Sequence, residues 1–244
     1  MLFAVFFVGF ASFKTVRHFM RTRRDRPNTE LFRVPNAAVL AADPITRVRS
    51  LSGLPVLLRV STGDQTVPPQ TNAYQAARQI GTSCLVRAID SELHGDPRLY
   101  DAEQIAKFIA RHAVKGTLIV ELHGYGVPGS QWFTGKSLDD VHLAQANSKV
   151  QLTRHLQSLG YVVEAQDYGG NLWGNNQALR LLSAEIGKRK VVLIGESMGG
   201  ILMWRFAELH RNQCLALVGI SPVCNLKSIC QTENGAILLN AYQH

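Results

Sequence analysis

The chain has 244 residues, of which 46% are hydrophobic, and a formal net charge of +8. This length suits one large α/β domain or two small ones, and the hydrophobic content is typical of a globular protein with a substantial core. Half of the positive excess lies in residues 1–30. We expect no nucleic-acid partner, because neither aromatic interleaving nor a recognisable binding motif accompanies the charge.

The first 13 residues are uncharged and rich in Phe, Leu and Val. They are too few to span a bilayer, which needs about 20 apolar residues, and the basic residues follow the apolar run instead of preceding it, unlike a secretion signal. The favoured interpretation of residues 1–30 is a helix on the domain or a tail. Contact of residues 1–26 with an anionic membrane surface is the alternative, and a cytoplasmic location is favoured.

The cysteines are four in number and none forms a CxxC pair, so no zinc site is predicted. Cys224 and Cys230 could bridge in an oxidising compartment, but free, partly buried thiols are the favoured interpretation. A phosphate-binding loop and a dinucleotide fingerprint are also missing from the sequence. We therefore expect neither a metal nor a cofactor.

The first block of predicted elements begins after residues 14–50, which lack strong periodicity and predict a linker or an irregular cap. Residues 55–60 form a short apolar run typical of a strand that is buried on both faces. A helix follows Pro68 and Pro69 and ends at Gly81, and residues 84–89 are the next strand. The helix after Asp101 buries Ile105 and its apolar neighbours.

The second block starts at Gly116, and its elements alternate along the chain. Strands are predicted at 117–122, 161–165, 191–194 and 215–220. Helices are predicted around Leu152 and Leu156, at 175–186 and at 198–210. Such alternation predicts a mostly parallel sheet with helices on both faces.

Ser197 is the candidate nucleophile. It lies in Gly195-Glu196-Ser197-Met198-Gly199, between an apolar β-branched run and a helical pattern. Small residues on both sides of a serine are needed where a strand turns sharply into a helix. The start of that helix would aim the Met198 N–H at an oxyanion.

A second oxyanion donor is predicted in His123-Gly124-Tyr125-Gly126, which follows the strand 117–122. The small Gly124 would let backbone N–H groups approach a substrate oxygen, and the Tyr125 N–H is the candidate donor. His123 itself is interpreted as structural.

Asp64 and His94 are the candidate acid and base. Each follows a predicted strand, and the two are one strand–helix unit apart. An acid held in a turn at a strand end can orient a histidine through Nδ1. Asp90 is a rival acid that we interpret as a solvated turn residue, and the histidines at 112, 155 and 210 as surface residues.

These segments together resemble the α/β-hydrolase superfamily over about residues 50–240. The resemblance rests on the segments GESMGG, ELHGYG, STGDQTVPP and SELHGDP. It implies a serine hydrolase with Ser197 as nucleophile, His94 as base and Asp64 as acid. Residues 173–175 and 221–226 look like segments of bacterial and phage esterase-like hydrolases.

The chain departs from that family in its order, because the acid and base precede the nucleophile. In the family the order is Ser, then acid, then His, and here it is a cyclic rotation of that order. We expect a circularly permuted three-layer α/β fold with about six strands, in which residues 31–244 form one domain with an acid/base half (31–113) and an oxyanion/nucleophile half (114–244). The join at 112–116 must cross four strand spacings, about 19 Å, with about 17 Å of extended chain. The helix before it must therefore lean across the sheet.

Two fused hydrolase fragments and a domain-swapped homodimer are alternatives to this single closed domain. The expected function is hydrolysis of a small-molecule carboxylic ester through an acyl-enzyme on Ser197, and the same residues would serve thioester hydrolysis or acyl transfer. A hydrolase-like scaffold that binds a ligand without turnover is the alternative function. An ångström of misplacement in the triad would be enough to lose most of the rate.

Overall fold

The structure is a computed structural model that describes residues 34–137 and 142–243. The predictions for residues 1–30, including membrane contact through residues 1–26, fall outside these ranges. Within them, no helix is both long enough and apolar enough to cross a membrane.

Six strands form one sheet in which every pairing is parallel, in the order β2-β1-β6-β5-β3-β4. The strands are β1 (Val56–Ser61), β2 (Cys84–Ile89), β3 (Leu118–Leu122), β4 (Val162–Glu164), β5 (Val191–Glu196) and β6 (Cys214–Ile220). The predicted α/β class and the mostly parallel sheet of about six strands are confirmed.

The α-helices in the described ranges cover both faces and one end of this sheet. They are α1 (Ala37–Ala42), α2 (Ala73–Ile80), α3 (Ala102–Ile109), α4 (Gln131–Thr134), α5 (Leu143–Ser158), α6 (Asn176–Ile186), α7 (Gly199–Leu209), α8 (Leu226–Cys230) and α9 (Gly235–Ala241). Short 3₁₀ helices span Pro44–Thr46, Val48–Leu51, Pro97–Tyr100 and Arg211–Gln213.

The three layers follow from strand alternation. In β5, Val191 and Leu193 face a core shared with α2, α6 and α7, whereas Val192 and Ile194 face a core shared with α3 and α5. Because successive strand side chains point to opposite faces, a strand covered on both sides must be apolar at nearly every position. β1, β3 and β5 are buried throughout, while the edge strand β2 is half-exposed.

Both halves of the chain contribute to the same sheet. β1, from the first half, pairs with β6, the last strand of the chain, so that Val56 lies opposite Leu217 and Arg59 opposite Ile220. The carboxyl ends of β1, β2, β3 and β5 therefore lie on one edge of one sheet, although their positions in the sequence are far apart.

Helix α3 leads from the β2 side of the sheet to the start of β3. Its Ile105 and Ile109 pack in the same core as Ile119 of β3 and Leu152 of α5. The helix therefore packs on the same face of the sheet as α5. After α3, the Gly116 amide donates to Gly160 O at 2.8 Å, and Gly116 has a φ of +80°, which a glycine adopts readily.

The predicted linker or irregular cap over residues 14–50 lies outside the described ranges up to residue 33, and it is wrong for residues 37–50, which lie in α1 and two 3₁₀ turns that end at Leu51. Asn36 and Asp43 cap the first two of these elements by accepting from the Val39 and Ile45 amides. Each element spans only three to six residues. That is too short to show a helical hydrophobic period, and packing against the core stabilises such short helices.

Candidate active site

Ser197 lies at the sharp turn between β5 and α7. Its φ is +49°, a left-handed conformation that is strained for a residue with a side chain. The residues two positions before and after Ser197 are glycines because the backbone is close on both sides. A Cβ on Gly199 would overlap Leu122 O, and one on Gly195 would lie 3.0 Å from Gly199 O. Two backbone hydrogen bonds hold the turn, from Ser197 N to Ile220 O (3.0 Å) and from Val223 N to Ser197 O (2.9 Å).

His94 lies in the loop after β2 and contacts both predicted partners. Its Nε2 is 2.8 Å from Ser197 Oγ, and its Nδ1 is 2.7 Å from Asp64 Oδ2. The His94 side chain is 25% exposed, so one side of the ring faces a cavity while the other packs on the protein. The three residues meet at the carboxyl edge of the sheet, where open α/β sheets place their sites.

Asp64 lies in the turn after β1 and is buried. Its Oδ1 accepts from the Thr66 and Val67 amides, both at 2.9 Å, which leaves Oδ2 for His94. The turn thus fixes the direction of the carboxylate. The rival acid Asp90 is exposed and accepts from Thr62 Oγ1 at 3.4 Å.

The candidate oxyanion donors flank Ser197. Met198 directly precedes the first residue of α7, and Tyr125 follows β3. Over residues 34–137 and 142–243, the hydrogen bonds found use neither the Met198 nor the Tyr125 amide as a donor to another protein group. The two segments lie side by side, since a Cβ built on Gly124 would be 3.5 Å from Ser197 Cβ, an ordinary van der Waals distance.

His123 is buried and bonds to the backbone. Its Nδ1 lies 2.7 Å from Gly124 O, and its Nε2 lies 3.3 Å from Asp167 O. The ring ties the segment after β3 to the segment after β4, which agrees with its interpretation as a structural residue.

Ser197 and His94 open into a cavity of about 490 Å³. Apolar side chains line one part of it, among them Val67, Trp173 and Val223, and the Trp173 ring packs at 5.7 Å from the Tyr125 ring. This volume is within the range of small-molecule sites. A larger cavity of about 840 Å³ lies among α1, α6 and α9, but none of the described residues that line it is a Ser, Cys, His, Asp or Glu.

A buried polar cluster beside Ser197 was not predicted from the sequence, and its Glu196, Gln145 and Lys149 line the same cavity as Ser197 and His94. Glu196 Oε1 accepts from Tyr100 Oη at 2.6 Å and from Gln145 Nε2 at 2.7 Å, and Glu196 Oε2 lies 2.7 Å from Lys149 Nζ. Lys149 also donates to Gln131 Oε1 at 2.7 Å. One signal existed in the sequence, because Lys149 shares the apolar face of α5 with Leu152 and Leu156, where a lysine is unexpected.

The cysteines at 84, 214, 224 and 230 are free thiols. Burial raises the pKa of Cys84 and that of Cys214 to about 12. Residues 34–137 and 142–243 contain no group of three or more His, Cys, Asp or Glu side chains that could hold a metal ion.

Comparison with known proteins agrees with the observed architecture. A family model described as the alpha/beta hydrolase fold matches residues 165–240, which include β5, the Ser197 turn and α7. A search of curated proteins finds no significant match.

Proposed function

Since this chain belongs to the α/β-hydrolase superfamily, we propose that it is a serine hydrolase that cleaves carboxylic esters through an acyl-enzyme on Ser197. The observation that carries the proposal is the chain of hydrogen-bond contacts from Asp64 through His94 to Ser197, at 2.7 and 2.8 Å. A nucleophile, a base and an orienting acid in this geometry are what acyl transfer requires, whatever their order in the chain.

In the first half-reaction, Ser197 Oγ attacks the ester carbonyl carbon and its proton passes to His94 Nε2. The carbonyl oxygen becomes an oxyanion, which accepts hydrogen bonds from the Met198 and Tyr125 amides. As the C–O bond to the alcohol breaks, His94 returns the proton to the leaving alkoxide. The acyl group then remains on Ser197.

In the second half-reaction, a water replaces the alcohol. His94 takes a proton from the water, the resulting hydroxide attacks the acyl carbon, and the collapse of the intermediate returns the proton to Ser197 Oγ. The buried Asp64 carboxylate keeps the proton on Nδ1 when the ring is neutral and stabilises the imidazolium when it forms. No step of this cycle requires a cofactor.

The cavity supports a small-molecule acyl substrate. Its volume of about 490 Å³ and its apolar wall beside Ser197 suit a short to medium acyl group. Thioester hydrolysis and acyl transfer to an alcohol use the same residues, so the choice among these reactions depends on the second substrate that the cavity admits.

The test is hydrolysis of p-nitrophenyl esters and of an acyl thioester by the folded protein. We expect saturable ester hydrolysis that falls by about 10⁴-fold or more in Ser197→Ala. Ser148→Ala, which removes a half-buried serine hydroxyl that donates to Ala144 O within α5, is the matched control and keeps full activity. A folded protein that turns over neither substrate class would refute the proposal and favour the ligand-binding scaffold.

We also propose that the order of the chain is a circular permutation of the hydrolase fold. Two observations support this: β1 and β2 continue the sheet beyond β6, and Val39 of α1 and Tyr242 after α9 pack in one apolar cluster, which a short linker could bridge. A rearranged chain with residues 114–243 first, a short Gly/Ser linker and residues 34–113 last should fold and hydrolyse the same esters. A rearranged chain that stays unfolded would contradict it.

A further inference from the structure

The side chain just before the nucleophile is a buried carboxylate for which the proposed mechanism has no use. Glu196 is 6% exposed, and its two oxygens are held by the Tyr100 hydroxyl, the Gln145 amide and the Lys149 ammonium. Gln145 Nε2 also lies 2.9 Å from Tyr100 Oη, which closes a ring of polar contacts.

This carboxylate is ionised in the fold. Burial by itself would raise the pKa of Glu196, but the charge of Lys149 and the hydrogen bonds from Lys149 and Tyr100 hold that pKa below its ordinary value. Lys149 is 1% exposed and lies 5.5 Å from the Trp132 ring centroid. Glu121 of β3 also faces Lys149, but burial raises the pKa of Glu121 well above its ordinary value, so Glu196 is the anion that pairs with the lysine.

Stability alone is a weak reason for such a pair. Desolvating two charges costs several kcal/mol per ion, and well-packed apolar residues in the same place are often as stable or more stable. A buried pair directly beside a nucleophile therefore points to a role in the site.

The Glu196 carboxylate connects three segments of the active site. It belongs to the Ser197 turn. Through Gln145 it reaches the loop that carries His94, because a Cβ on Gly95 would lie 2.5 Å from Gln145 Cδ, and only a glycine lets that amide lie flat against the loop. It also lies close to the oxyanion segment, since a Cβ built on Gly124 would be in van der Waals contact with Glu196 Cδ, at 3.5 Å.

We propose that Glu196, neutralised by Lys149 and relayed by Gln145, is a positioning residue that sets the distance between His94 and Ser197. The inference rests on the proposed function, because it assigns the cluster to the triad's alignment. The pair also acts by charge, because Glu196 and His94 interact electrostatically and line the same cavity, and Lys149 offsets the Glu196 charge.

The first test replaces Gln145 by Met and compares it with Gln157→Met. Both positions are on α5, both changes remove an amide, and Gln157 is exposed. We expect Gln145→Met to lower kcat for p-nitrophenyl butyrate about 10- to 100-fold with KM within about threefold, because an error of about 1 Å in a triad costs up to about 10²-fold. Gln157→Met should match the wild type.

The second test uses the charges. In Glu196→Gln, the acidic limb of the kcat/KM profile should move to lower pH by about half a unit, because loss of an anion near His94 disfavours the imidazolium. In Lys149→Met/Glu196→Gln, where both charges are gone, the limb should return to its wild-type position. The double variant leaves no unpaired buried lysine, so it should fold and give a measurable profile even if Glu196→Gln alone unfolds.

The outcomes separate this inference from the proposed function. If a fluorophosphonate does not label Ser197 in the wild type, the proposed function is refuted and the inference with it. If the wild type is labelled but Gln145→Met keeps its kcat, the inference alone is overturned. It is also overturned if the loss in Gln145→Met is confined to KM, or if neither charge variant moves the acidic limb.

Discussion

Replacing Asp64 by Asn is the sharpest perturbation of the triad, because the surrounding hydrogen bonds dictate how the new side chain must sit. The Thr66 and Val67 amides both donate to Asp64 Oδ1, so an asparagine must keep its Oδ1 there and turn its Nδ2 towards His94. A donor in that place forces His94 Nδ1 to accept, which puts the proton on Nε2. Nε2 then cannot take the proton of Ser197.

We therefore expect kcat to fall by about 10³- to 10⁴-fold, equivalent to about 4–5.5 kcal/mol of barrier. The free energy of unfolding should fall by only about 1 kcal/mol, because both amide contacts survive with a neutral acceptor. The assay is p-nitrophenyl butyrate hydrolysis together with urea unfolding. Asp90→Asn is the matched control and should keep full activity. Activity of Asp64→Asn within tenfold of the wild type, or an equal loss in Asp90→Asn, would refute the reasoning.

Three further predictions concern stability and the thiols. Asp96→Asn should lower the free energy of unfolding by about 1–2 kcal/mol at pH 7, because the hydrogen bond from Arg98 lowers the pKa of Asp96 to about 2. This difference from the wild type should shrink as pH falls from about 4 towards 2, and a difference that stays constant with pH in urea unfolding would contradict the prediction. Asn72→Leu leaves the Cys224 and Asn225 amides without their acceptor and should cost about 2–4 kcal/mol by the same assay, whereas an unchanged midpoint would argue against it. Without reductant, iodoacetamide should leave the native protein unmodified at about pH 8, because burial raises the pKa of its thiols. In denaturant it should add four groups, since all four cysteines are free thiols, and fewer adducts would reveal a disulfide.

Local patterns in the sequence were enough to predict the layered fold. The apolar run 191–194 and the glycines around Ser197 predict a strand, a sharp turn and a helix, because each depends only on neighbouring residues. One further rule predicts that residues 31–113 and 114–244 share a sheet: strands that alternate with helices along the chain form a single, mostly parallel sheet. The observed pairing of β1 with β6 follows that rule.

The cluster around Glu196 could not be predicted in the same way. Tyr100, Gln145 and Glu196 are 45 to 96 residues apart in the chain, and they meet only because α5 packs against the 3₁₀ turn Pro97–Tyr100. Nothing local marks a tyrosine or a glutamine for such a contact. The short helices at residues 37–51 were missed for a related reason, since packing on a distant core stabilises them and periodicity does not reveal them.

The most direct test of the central claim is the site of fluorophosphonate labelling in the folded chain. The proposed mechanism predicts one phosphonyl group per molecule, located on Ser197 by peptide mass spectrometry, with labelling lost in Ser197→Ala and strongly slowed in His94→Ala. Labelling at another residue, or none on a protein whose unfolding transition is cooperative, would contradict the assignment of Ser197 as the nucleophile.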